Sequence, residues 1–239
     1  MKIQKYIVIL IVAASCTNFV NAQQDMPELD ANQKYEKLLI EGFTKLNNGN
    51  AKDSIINNFN PLISHYEKLY NENGKHKYSA RGTTESLHYL LQAATKNQSA
   101  IVIAQWWADV FYYKGFAYLE LRNIIEAKKS IERALEFSPS NSLYLSELGY
   151  IYQLRKEWKE ALAIFKKSEE AAHAFTPEKL KTNELSRAMR GTAYVLVELG
   201  RLSEAEEKYL ECIKLDENDK RSLSELEYVR GLRNKENSK

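Results

Sequence analysis

From Ala108 onward, apolar and small residues recur three and four positions apart in runs of helical length, and short polar stretches separate the runs. That spacing puts one stripe of side chains on one side of a 3.6-residue helix. The run from Lys114 to Pro139, KGFAYLELRNIIEAKKSIERALEFSP, shows the pattern, with one anomaly. Gly115 sits near its start, where glycine costs about 1 kcal/mol relative to alanine. Three earlier stretches predict amphipathic helices: Lys34 to Leu46 with Tyr35, Leu38, Leu39 and Phe43; Asn60-Pro61 through Tyr70; and Thr83-Thr84, with threonine as the cap, through Thr95. Between the last two lies a polar linker, NENGKHKYSARGTT, read as a solvated loop. Ala93 and Ala94, followed by the apolar Ala100 to Ala104, echo a further helix, so residues 23–105 are expected to be a helical segment, apart from that linker, packed on the first repeat. Past Asp219, Leu223, Leu226, Tyr228, Val229 and Leu232 keep helical spacing and predict a closing helix over 220–239 with a frayed tail.

The runs also repeat. Gly115, Tyr118, Ala127, Ala134 and Pro139 lie 34 residues before Gly149, Tyr152, Ala161, Ser168 and His173. A third copy follows in the frame Ala193, Leu196, Gly200, Ala205, Tyr209, Cys212, displaced by ten residues, which predicts an insertion at 176–185. Thr176-Pro177 reads as an N-cap with proline in the first turn, Gly200 as a helix end, and Ser203-x-x-Glu206 as a capping box. If the third copy's first helix starts at Pro177, it is longer than its counterparts and protrudes. The glycine position holds Gly115, Gly149 and Ala193, so it demands smallness, as close helix packing does.

This period and signature resemble the tetratricopeptide repeat. The copies would be 108–141, 142–175 and 186–219, within a repeat region 106–219. The resemblance implies an all-α helical-hairpin solenoid, with an N-terminal helical extension packed on the repeats and a C-terminal capping helix. It implies a non-enzymatic protein-interaction module without a cofactor, whose first helices line a concave groove for a partner peptide or protein. Groove positions would be Tyr112, Phe116 and Leu119; Ser146, Tyr150 and Gln153; and Arg187, Arg190, Tyr194 and Val197. Phe116, Tyr150 and Tyr194 hold one position in successive copies and would form an aromatic ladder. The family's best-known ligand mode, a clamp of Lys and Asn on a C-terminal carboxylate, needs Asn where this chain has those aromatics. Apolar peptide side chains with an acidic group suit the present residues better.

Other features narrow the alternatives. Residues 1–22, MKIQKYIVILIVAASCTNFVNA, combine lysines, a short apolar run and a Val20-Asn21-Ala22 cleavage pattern, which predicts a secretory signal cut after Ala22. The chain is therefore expected in the periplasm or secreted, as in exported bacterial repeat proteins. A lipobox-like Ala13-Ala14-Ser15-Cys16 keeps open a lipid anchor at Cys16 and a role in assembling an outer-membrane, secretion or pilus apparatus. The net charge of +2 comes from 34 basic and 32 acidic side chains; without Lys2 and Lys5 the balance is zero, which offers nothing to nucleic acid. Cys212 would be the lone remaining thiol, read as a buried packing residue, and the four histidines lack metal-ligand spacing. Trp106, Trp107 and Trp158 read as packing residues at helix ends. The one hint of small-molecule chemistry is the 71–86 linker, where Lys75, His76, Lys77 and Arg81 precede a helix N-terminus that could take an anion.

Overall fold

The computed structural model describes residues 28–69 and 75–237; the expected signal, the Cys16 anchor, Tyr70 and residues 71–74 of the linker lie outside them. In chain order the elements are α1 (Glu28–Asn47), α2 (Ala51–Ser54), a π-helical segment (Ile55–Phe59), α3 (Asn60–Leu69), β1 (His76–Ala80), α4 (Thr83–Thr95) and β2 (Ala100–Ala104). The repeat region follows as α5 (Trp106–Glu120), α6 (Ile124–Phe137), α7 (Ser142–Leu154), α8 (Trp158–Phe175), α9 (Glu178–Glu198) and α10 (Leu202–Leu215), closed by α11 (Lys220–Asn237). The result is the helical-repeat solenoid expected from the sequence.

Smallness at the register position has a direct cause. A Cβ built on Gly115 would lie 2.7 Å from Ile131 Cδ1 on α6, and one on Gly149 would lie 2.8 Å from Phe165 Cζ on α8. Ala193, its counterpart on α9, is fully buried. Each hairpin then turns in the same way. Arg122, Lys156 and Gly200 take φ of 58°, 59° and 71°, seven residues after Gly115, Gly149 and Ala193. The next amide in each case donates five residues back: Asn123 to Tyr118, Glu157 to Tyr152, Arg201 to Leu196. This is the left-handed helix end with its returning hydrogen bond.

The same two marks occur once more, where the sequence pattern was illegible. Gly49 has φ 81°, the Asn50 amide donates to the Lys45 carbonyl, and seven residues before Gly49 stands Gly42. A Cβ on Gly42 would lie 2.7 Å from both Asn58 Cβ and Phe59 Cε1. Residues 28–69 thus form a fourth hairpin in register with the other three. Two features hide it. Gly42 and Gly115 are 73 residues apart rather than 34, and the π-helical segment adds a residue to the second helix, shifting its apolar stripe.

The residues between these hairpins correct the expectation of a helical extension. β1 and β2 pair in parallel, His76 against Ala100 through Ala80 against Ala104, with α4 as the crossover. The linker is therefore in part a strand, and Ala100–Ala104 is a second one. A five-residue apolar run cannot be told from a buried helical segment by periodicity alone. Tyr78 and Tyr89 stack at 4.9 Å between sheet and helix.

Several expected helix ends also differ. Gly82, not threonine, is the N-cap of α4, and Glu85 reaches back to the Arg81 amide at 2.7 Å. Pro177 caps α9, and Thr176 donates instead to Glu184 at 2.8 Å. Arg201 precedes α10, so Ser203 and Glu206 form no capping box; Glu206 pairs with Arg230 and Arg233 on α11. Finally, α9 is 21 residues long against 13 for α7, but it does not simply protrude. Glu184, Leu185 and Ser186 are buried because Glu184 serves the cluster described below.

Candidate functional site

α5, α7 and α9 are the first helices of their hairpins, and their partner helices are held close by the glycine register. The expected site residues fall into two classes according to their offset from that position. Three residues before it stand Tyr112, Ser146 and Arg190, and all three are occupied. Tyr112 is buried, its ring stacked on Tyr144 at 5.0 Å. Ser146 is buried, its hydroxyl 2.9 Å from that of Ser168 on the second helix of the same hairpin. Arg190 binds Asp219 at the start of α11. Tyr112 and Ser146 are therefore packing residues, not open groove positions, because this offset faces neighbouring helices.

One residue after the register position the side chains are accessible. Tyr150 is 38% exposed and Tyr194 42%, while Phe116 is half-buried. Four residues after it, Leu119, Gln153 and Val197 are also half-buried, and the Gln153 amide reaches the Gly191 carbonyl at 3.4 Å. Phe43 holds the same position in the first hairpin, half-buried, its ring 5.2 Å from that of Tyr113. All four hairpins thus carry an aromatic there, and Phe43 could have been found only by recognising Gly42 as a register mark. The rings do not form one continuous stack: Tyr194 lies 6.4 Å from Trp158. Burial raises the Tyr150 phenol pKa above its ordinary value, with Glu147 adding to the effect. Arg187 lies on the same side with its side chain 40% exposed; it binds the buried Glu147 and keeps further donors free in number.

Behind the groove, Tyr144 donates to Asp109, which Gln105 also approaches at 3.5 Å. Burial pushes the Asp109 carboxyl up to about 6, although both hydrogen bonds pull the other way. Cys212 is buried as expected, its thiol pushed up to about 11 by burial.

The linker candidates do not converge. His76 is exposed at the start of β1, and Ser79 is buried with its hydroxyl on the Ala104 carbonyl at 2.7 Å. Arg81 is the residue whose role the sequence most concealed. Its guanidinium contacts Glu184 at 2.8 Å and Glu85 at 3.3 Å, with side-chain exposures of 3%, 8% and 1% for the three. Thr176 and Ser142 complete the bonding of Glu184, and Tyr89 donates to Glu85 at 2.7 Å. Arg81 is an internal joint between the strand unit and the α7 to α9 corner, fully used by protein partners rather than offered to an anion. Among the described residues no group of His, Cys, Asp and Glu could hold a metal ion, and no helix is long and apolar enough to cross a membrane.

Comparison with known proteins agrees with this fold. The family model described as Tetratricopeptide repeat matches residues 108–141 and 192–219, supporting the repeat family. No curated protein matches the chain. Among solved structures, pilF of Pseudomonas aeruginosa is 12% identical, with 85% of this chain and 71% of that one covered at a TM-score of 0.57. A MamA RS-1 double mutant is also 12% identical, covering 84% and 85% at a TM-score of 0.54. The first repeat domain of Spaghetti (RPAP3), bound to an HSP90 peptide, is 18% identical over 52% of this chain and 91% of that one, with a TM-score of 0.46. At such identities the likeness is one of fold.

Proposed function

We propose that the chain is an interaction scaffold that takes a partner segment along the row Phe43, Phe116, Tyr150 and Tyr194, and that it does so in the cell envelope after loss of residues 1–22. The observation that carries this reading is the placement of an aromatic one residue after the register position in all four hairpins, with Tyr150 and Tyr194 left open. Exposed aromatics on a rigid scaffold are efficient anchors, since they bury much area at small entropic cost. Arg187 at the edge of the row favours a segment that pairs apolar side chains with a carboxylate, because guanidinium binds carboxylate through two parallel hydrogen bonds. The envelope location is motivated by the lysines, apolar run and small-residue cleavage pattern of residues 1–22.

A photo-crosslinking residue in place of Tyr150, used in cells and followed by mass spectrometry, tests the groove. The expected result is one dominant partner peptide, lost when Tyr194→Ala is added, with the circular-dichroism spectrum unchanged. Equal capture with and without Tyr194 would remove the row from consideration. N-terminal sequencing of the purified chain tests export: a start at Gln23 supports it, and an intact Met1 refutes it.

A further inference from the structure

The unit β1–α4–β2 leaves two features unexplained by its attachment to the repeats. The first is the outer edge of β2. The Ser99 carbonyl accepts the His76 amide at 2.7 Å, which fixes the phase of the ladder. Backbone groups of alternate residues point to the same side, so those of Ile101 and Ile103 turn toward β1 and those of Ala100 and Val102 turn away. Among the described residues β2 has no strand neighbour besides β1. The two edges of this sheet are treated differently. On the β1 side, the outward Ser79 carbonyl accepts the Ser138 hydroxyl from the α6–α7 connection. On the β2 side the sequence is Ala-Ile-Val-Ile-Ala, without the lysine, proline or inward charge that normally protects an edge.

The second feature is the helix above it. His88 lies 4.2 Å from the Phe175 ring and 3.2 Å from the Ser140 hydroxyl, so that flank of α4 faces the repeats. At about 100° per residue, Leu90 falls on the opposite flank with Leu87 one turn before it, and Leu91 lies on the side turned away from the sheet, between Leu87 and His88. Leu87 and Leu91 are 56% and 65% exposed, and Leu90 is exposed as well.

We infer that both features are covered by a second copy of this chain, through antiparallel pairing of β2 with its symmetry mate. A two-fold axis perpendicular to the sheet at Val102 would pair Val102 with Val102, the residue whose amide and carbonyl both point outward. Ile101 would then oppose Ile103 on the same face. The same axis keeps both α4 helices on one side of a four-stranded sheet. Each helix lies over its own strand pair, so the two axes would stand two strand spacings apart, about 9.6 Å. That falls in the range of roughly 8–10 Å at which helices pack through their side chains. One partner therefore satisfies the unpaired edge and the Leu90 and Leu87 flank together, whereas an isolated extended peptide on the edge leaves both leucines in water.

Val102→Pro tests this with little risk to the fold, since the lost amide is the outward one and the β1 ladder keeps its hydrogen bonds. Leu90→Glu tests the helix contact independently. Sedimentation of the purified full chain over a dilution series should give twice the chain mass of 27.6 kDa. Either variant should bring it to roughly one chain mass with an unchanged circular-dichroism spectrum. A wild-type chain that sediments as a monomer throughout overturns the inference, as does a dimer that survives both substitutions. If Val102→Pro alters the spectrum, Leu90→Glu decides the question alone.

Discussion

The four hairpins and the strand unit are held by opposite means. Within the hairpins, helices approach because a small residue faces a large apolar one, as Gly149 faces Phe165 and Gly115 faces Ile131. The strand unit is fastened to the α7 to α9 corner by buried charge, with Arg81 between Glu85 and Glu184. Apolar interdigitation is non-directional and tolerates repetition, so the same solution recurs along the chain. A buried ionic cluster works only if each donor and acceptor finds its partner, so it occurs at one place and depends on every member.

The largest test of this contrast is Arg81→Met. Removing the cation leaves two buried carboxylates facing each other, and a loss of about 3–5 kcal/mol is expected in urea denaturation. Replacing the three charges together, Arg81→Met with Glu85→Leu and Glu184→Leu, should recover most of that loss. If the single and triple variants are equally unstable, the cluster is not the joint. Next in size, Gly149→Val forces a branched side chain against the Phe165 ring and should cost about 1–3 kcal/mol. Combining it with Phe165→Leu should return part of the stability, and failure to do so would mean that the constraint lies elsewhere.

Asp109→Asn gives a pH-dependent signature. The folded carboxyl binds its proton more tightly than the unfolded one, whose ordinary value is 3.8, so folding loses stability as pH rises from near 4 through about 6. Asparagine keeps an oxygen to accept from Tyr144 and removes the titration. The variant should gain about 1–2 kcal/mol over wild type at pH 7 and nothing at pH 3.5, as read from melting curves at the two pH values. A gain independent of pH would dissociate the effect from ionisation. The smallest stability effect belongs to Tyr194→Ala, within about 0.5 kcal/mol, because the ring is 42% exposed. Its consequence should appear in partner capture instead.

The repeat was legible because its cause is local and periodic. The 34-residue spacing, the small residue at Gly115 and Gly149, and the buried Ala193 all express one packing contact made again and again. Exposure just after the register residue follows from the same helical spacing at Tyr150 and Tyr194, while Phe116 is half-buried. The error at Tyr112 and Ser146 arose because an offset along one helix does not say which neighbour it meets. Those two residues face Tyr144 and Ser168, one across the repeat boundary and one within the hairpin.

The sequence alone therefore determined the helical hairpins from Ala108 onward and their period, since each depends on residues within one repeat length. Tertiary structure decided what depends on distant partners. It revealed the hairpin of residues 28–69, whose register mark at Gly42 is meaningful only when Phe59 is seen to face it. It made strands of His76–Ala80 and Ala100–Ala104, because each becomes a strand by pairing with the other. It also turned Arg81 from a linker cation into an internal joint, since its partner Glu184 lies 103 residues away and no local spacing records that distance.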